Sequence, residues 1–162
     1  MAISTISSAG LATGGIGRSN MYTGAVLQVV QGTYSTVTSN STSTYADTGL
    51  TATITPSSTT SKILIFVFHS ENTKNGANAG NDIGINLLRN GTQIALISYD
   101  LGYTGTAINL YFIVAGSYYD SPASTSALTY KTQFRNTNSN SANVTVQQNN
   151  VPSTITLMEI AA

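Results

Sequence analysis

One histidine, six carboxylates and no cysteine bound the side-chain chemistry open to this chain. His69 is followed by Ser70 and Glu71, which sets a base beside a hydroxyl and an acid. Zinc needs three or four convergent ligands, and no second histidine or thiolate exists to complete such a set. A Ser-His-Asp arrangement has its residue types, but no G-x-S-x-G elbow occurs and nothing fixes a nucleophile against the base. His69 also ends an apolar run, where the expected role is a histidine satisfied inside the fold.

The carboxylates Asp47, Glu71, Asp82, Asp100, Asp120 and Glu159 are spread along the chain, a sparse supply for the opposed pair of a glycosidase. Residues 78–82 offer Asn78, Asn81 and Asp82 to a hard cation, but without EF-hand spacing they read as a solvated loop. The stretch GGIGRS at 14–19 lacks the Lys-Ser/Thr ending of a phosphate loop, and no strand precedes it. No catalytic residue, metal site or cofactor is expected. Tyrosine is the suggestive excess. Tyr99 and Tyr103, then Tyr118 and Tyr119, fall near strand ends, and their amphipathic area suits a subunit seam or a sugar site. These four are the surface-recognition candidates.

Short strands must position these groups. Residues 26–31 form the first, and 33–38 can continue it. In 51–55 threonines alternate with the apolar set Leu50, Ala52 and Ile54, and Pro56 ends the run. Residues 62–69 are apolar on both faces, Ile63, Ile65 and Val67 on one and Leu64, Phe66 and Phe68 on the other. One face belongs to the core. The other makes Leu64, Phe66 and Phe68 candidates for a subunit interface.

Asn90-Gly91 has the chemistry of a two-residue type I′ hairpin turn, because both positions need positive φ. It pairs Arg89 with Thr92, hence Leu87 with Ile94 and Ile85 with Leu96. Further strands fall at 107–115, 128–135, 143–147 and 154–160, with Leu128, Tyr130 and Phe134 inward and Lys131, Gln133 and Arg135 outward. Roughly eight to ten strands with turns between them, and no amphipathic helix, give an all-β antiparallel sandwich.

Residues 1–22 differ. They are rich in glycine, and Ile3, Ile6, Leu11 and Ile16 fit neither strand nor helix periodicity. The expectation is an extended anchoring arm, with 23–162 as the sandwich domain. Charged residues make up 7% of the chain and the formal net charge is zero, so the field that non-specific nucleic-acid binding requires is missing. The apolar run 63–68 is too short to cross a bilayer, so no membrane partner is expected. Without cysteine, stability rests on packing and oligomerisation.

Several phrases carry a likeness: residues 26–31 (VLQVVQ), 43–56, 61–64 (SKIL), 86–92 (NLLRNGT), 103–106 (YTGT), 119–122 (YDSP), 129–134 (TYKTQF) and 154–160 (TITLMEI). In this order they resemble small jelly-roll-like virion structural proteins of tailed bacteriophages, including cyanophages, over about residues 25 to 161. The resemblance implies a jelly-roll sandwich forming homotrimers on the outside of a virion, either as capsid decoration (cement) or as a tail or head fibre tip. It implies the major capsid protein or a neighbouring virion protein as partner, and no catalytic residue. The absence of a fibre shaft favours decoration. A carbohydrate-binding module is the remote alternative.

Overall fold

A computed structural model describes residues 21–138 and 140–162. The proposed arm residues Ile3, Ile6, Leu11 and Ile16 lie outside the described residues. The strands are β1 (Val26–Tyr34), β2 (Thr38–Asn40), β3 (Ala46–Ile54), β4 (Lys62–Lys74), β5 (Ile83–Arg89), β6 (Thr92–Leu101), β7 (Leu110–Asp120), β8 (Leu128–Asn136), β9 (Val144–Val146) and β10 (Ser153–Ile160). No α-helix occurs among the described residues after Met21, and a 3-10 turn at Gln148–Asn150 separates β9 from β10.

Every pairing is antiparallel. The first sheet runs β1-β10-β4-β7, with β9 continuing the β10 side of β4 and β2 beyond it; the second runs β3-β8-β5-β6. With β2 and β9 set aside, β1 pairs β10, β3 pairs β8, β4 pairs β7 and β5 pairs β6. The chain is thus one long hairpin, tipped at Asn90-Gly91 and rolled into two facing four-stranded layers. That is a jelly roll.

Alternation fixes which side of each strand is covered. In β3, Leu50, Ala52 and Ile54 are buried and the intervening threonines exposed; in β8, Leu128, Tyr130 and Phe134 are buried. The apolar interior forms two clusters. The larger is built on residues such as Leu50, Ile63, Ile65, Tyr130 and Leu157, the smaller on Ile83, Ile85, Phe134, Val144 and Val146. Each buried side chain of this size stabilises by roughly 1.5–3 kcal/mol before ordering entropy is set against it.

The two layers meet closely along one side, where β1 approaches β3. A Cβ on Gly32 would lie 2.0 Å from the Thr51 carbonyl oxygen, so no larger residue fits. Beside it, Gly49 adopts φ +86 beneath the Tyr34 ring. Here glycine supplies both the close approach and the left-handed backbone.

The hairpin differs from its expected register. Arg89 does pair with Thr92, but Leu87 faces Ala95 and Asn86 faces Leu96, with irregularities at Leu87/Leu88 and again near Ile85. The bulge lets Ile94, Ala95 and Ile97 all pack on the core, which strict alternation forbids, and it leaves Leu96 exposed. Turn chemistry set the first pair; burial of β6 against the core overrode it beyond that point. The strand expected at 107–115 lies instead at Leu110–Asp120, paired along β4.

Candidate functional site

His69 lies in the interior. Its Nδ1 accepts from Gln147 Nε2 at 3.2 Å, which leaves Nε2 as the protonated nitrogen, 3.0 Å from Thr132 Oγ1. Thr132 Oγ1 lies 2.7 Å from Thr48 Oγ1, and the Thr48 hydroxyl reaches the Thr132 carbonyl. On the other side Gln147 Nε2 donates to Ser153 Oγ. This polar chain crosses from β4 and β10 to β8 and β3, and in β8 it separates Tyr130 of one apolar cluster from Phe134 of the other. Burial pushes the His69 imidazole down to about 4, so it is neutral at ordinary pH. No carboxylate touches it, and no group of three or more His, Cys, Asp or Glu converges among the described residues. The ring tethers the layers.

Residues 78–82 do not form a solvated loop. Asn81 and Asp82 are buried, because the end of β8 supplies partners. The Thr137 hydroxyl and Asn138 Nδ2 both donate to the Asp82 carboxylate, and Asn81 Nδ2 donates to the Asn143 carbonyl. Burial, with Asp100 nearby as a like charge, pushes the Asp82 carboxyl up to about 6. The neighbouring Lys74 is also buried. Its ammonium donates to the Ala79 carbonyl, Thr104 Oγ1 and the Thr106 carbonyl, tying two connections together. Sequence reading missed Lys74, since nothing local distinguishes a buried lysine from a solvated one.

The outer face of the first sheet is apolar and exposed among the described residues. A row of apolar side chains crosses four strands, from Val29 through Met158 and Leu64 to Tyr119, each paired with the next. From Leu64 the patch continues along β4 through Phe66 and Phe68, which are 46% and 40% exposed; their inner neighbours Ile65 and Val67 are buried. The structure brings Leu64, Phe66 and Phe68 together on this surface.

The four tyrosines part company. Tyr119 belongs to the apolar row. Tyr118, one residue earlier, turns inward and packs half-buried against the main core. Tyr103 is exposed in the connection after β6, and Tyr99 stands exposed over the outer face of the second sheet. There its ring centroid lies 5.8 Å from the Arg135 guanidinium carbon, while Tyr45 flanks that carbon at 4.7 Å. Tyr45 and Arg135 were missed as a pair, because one precedes β3 and the other lies in β8, far apart in sequence.

No helix among the described residues is long and apolar enough to cross a membrane. No protein-family model and no curated protein matches the chain. Among solved structures, it is similar to a chain of infectious bursal disease virus, Gt strain, at 12% identity and TM-score 0.39 over 85% of this chain. It is also similar to the VP2 subviral particle of infectious bursal disease virus, at 16% identity and TM-score 0.34 over 83% of this chain. In both cases the chain spans 38% of the length of the structure it matches.

Proposed function

We propose that this chain is a structural protein of a virus particle, a homotrimeric capsid decoration protein on the outer surface of a tailed phage. The observation that carries the reading is the exposed apolar face centred on Leu64, Phe66 and Phe68. A patch of this kind on a soluble jelly roll is a contact surface, and second copies of the chain are its natural occupant. With so little charge on the chain, nothing electrostatic holds copies apart. The trimer, the tailed-phage setting and the capsid partner follow from the resemblance to small phage virion proteins. In this reading residues 1–22, through Ile3, Ile6, Leu11 and Ile16, fasten each subunit to the major capsid protein or a neighbouring virion protein.

Sedimentation at micromolar concentration tests the assembly. The wild type runs as one trimeric species that persists in high salt, because apolar burial is not screened. The double variant Phe66→Glu, Phe68→Glu runs as a folded monomer. A wild type that is itself a well-folded monomer overturns the reading. Deleting residues 2–20 leaves the trimer intact and abolishes its binding to purified undecorated capsids. If neither form binds capsids and both bind host cells, the protein is a fibre tip, the second reading that exposed Tyr99 and Tyr103 favour.

A further inference from the structure

The outer face of the second sheet has a different character from the apolar face opposite. On β8 the outward residues are Lys131, Gln133 and Arg135, and the first two are already engaged: Lys131 Nζ and Gln133 Nε2 both donate to the Asp47 carboxylate, at 2.7 and 2.8 Å. Arg135, next in the row, has no acidic partner among the described residues. Its Nη1 reaches only the Ser43 carbonyl, at 3.5 Å, and its Nε is buried without an acceptor. The other described arginine, Arg89, is paired with Asp120 at 2.7 Å.

Stacking rather than hydrogen bonding holds Arg135 in place. Tyr45 lies on one flank and Tyr99 on the other, both within the range of cation–π attraction. Gly84 makes the arrangement possible. It sits on β5 between β8 and β6, paired with Arg135, and a Cβ there would stand 3.6 Å from Arg135 Cγ, 3.2 Å from the Tyr99 carbonyl and 2.9 Å from Thr137 Cγ2. The missing side chain lets a tyrosine from one strand and an arginine from another meet over the strand between them. One register step along, the buried Asn86 faces Gln133 and its Oδ1 also lacks a partner.

A guanidinium flanked by two rings, with no acidic partner and its Nη donors met only by the Ser43 carbonyl at 3.5 Å, presents a planar fork to a carboxylate. Around it stand the two tyrosine rings, the Gln133 and Asn86 amides and the Thr137 hydroxyl. Such groups suit a polyhydroxylated sugar chain, whose C–H faces lie against tyrosine rings while its hydroxyls meet amides and hydroxyls. With Lys131 neutralised by Asp47, and Asp100 held on the Thr137 hydroxyl at 3.2 Å, Arg135 is the one described cation of this face without an acidic partner, which matches a single carboxylate on a sugar unit. We infer that the Tyr45–Arg135–Tyr99 stack on the outer face of the second sheet is a binding site for carboxylated saccharides.

The test is titration of the full chain with three carboxylated probes, trigalacturonate, a hyaluronan tetrasaccharide and sialyllactose, monitored by calorimetry. At least one binds saturably, with an affinity that falls as salt rises. Its methyl ester, which keeps the ring and removes the charge, binds at least about tenfold more weakly, the scale expected for losing a charge-assisted hydrogen bond. Arg135→Lys, which keeps the charge but loses the planar fork, weakens binding by a similar factor, and so does Tyr99→Ala. Thermal melts establish that both variants stay folded. Should Tyr99→Ala unfold, Tyr99→Leu replaces it. Failure of all three probes overturns the inference. So does equal binding of ester and acid, unchanged binding by folded Arg135→Lys, or equal binding of a glutamate-rich peptide.

Discussion

The His69 ring spans the two layers of the jelly roll to the Thr132 hydroxyl, with Nε2 3.0 Å from Oγ1. That contact needs a neutral imidazole whose Nδ1 accepts from Gln147, so a second proton would set two donors against each other. Two buried groups thereby respond to acid in opposite directions. His69 titrates near 6.5 when unfolded and about 4 when folded, so the unfolded chain binds the proton first and stability falls as pH drops through that window. Asp82 titrates near 3.8 unfolded and about 6 folded, so the folded chain binds the proton first and stability rises as pH drops through that window. The expected outcome is a nearly flat wild-type stability between pH 7 and 5. Asp82→Asn exposes the His69 slope, a loss of about 1–2 kcal/mol at pH 5 relative to pH 7. His69→Gln exposes the opposite slope. Urea titrations of the three proteins at both pH values check this, and equal slopes in both variants would refute it.

Asn90 and Gly91 have φ of 49 and 84 at the tip of the rolled hairpin. Replacing both with valine should cost about 2–4 kcal/mol, since each β-branched residue resists the left-handed region. A lower urea midpoint at unchanged slope is the signature.

Gly32→Ala should destabilise although alanine suits a strand better than glycine, because the added carbon meets the Thr51 carbonyl. The loss is about 1–3 kcal/mol, the usual scale of overpacking. The same change at Gly80, where a Cβ would meet nothing nearer than Asn78 Oδ1 at 3.5 Å, serves as the control for added bulk.

Asp120 accepts from Arg89 Nη1 and from the Tyr130 hydroxyl at 2.7 Å, joining the end of β7 to the opposite layer. Asp120→Ala leaves a buried phenol and a half-buried guanidinium unpaired, and should cost about 2–3 kcal/mol, reduced from the fully buried case by solvent near Arg89. Tyr130→Phe keeps the Arg89 pair and should cost only about 1 kcal/mol. Thermal or urea melts of the two variants distinguish the cases.

Much of the layering was legible because period-two alternation is a local property. Leu50, Ala52 and Ile54, and likewise Leu128, Tyr130 and Phe134, declare their inner face without reference to any partner. The turn at Asn90-Gly91 was legible for the same reason. What was not legible depends on residues far apart in sequence. The bulge that turns Ile94 and Ala95 inward follows from how β6 closes over the core, and no turn rule contains that information. The burial of Asp82 depends on Thr137 and Asn138, which reach it from beyond the far end of β8. The Tyr45–Arg135–Tyr99 stack needs three strands assembled around Gly84 before any of its members stands out.

The first and last strands of the roll lie side by side, so the chain enters and leaves the domain at one corner. Gly24 N donates to the Ala161 carbonyl at 2.8 Å, and Ala161 N donates to the Ala25 carbonyl at 2.9 Å. Tension applied between these two points would load the β1–β10 ladder like a zipper, one rung at a time. Rungs broken in sequence resist far less than rungs sheared together. If the domain sits on a particle, as proposed above, swelling from within would peel it open wherever both chain ends are gripped. Gripped through one end and the broad surface of its sheet, the domain would carry the same load with its hydrogen bonds sharing the strain.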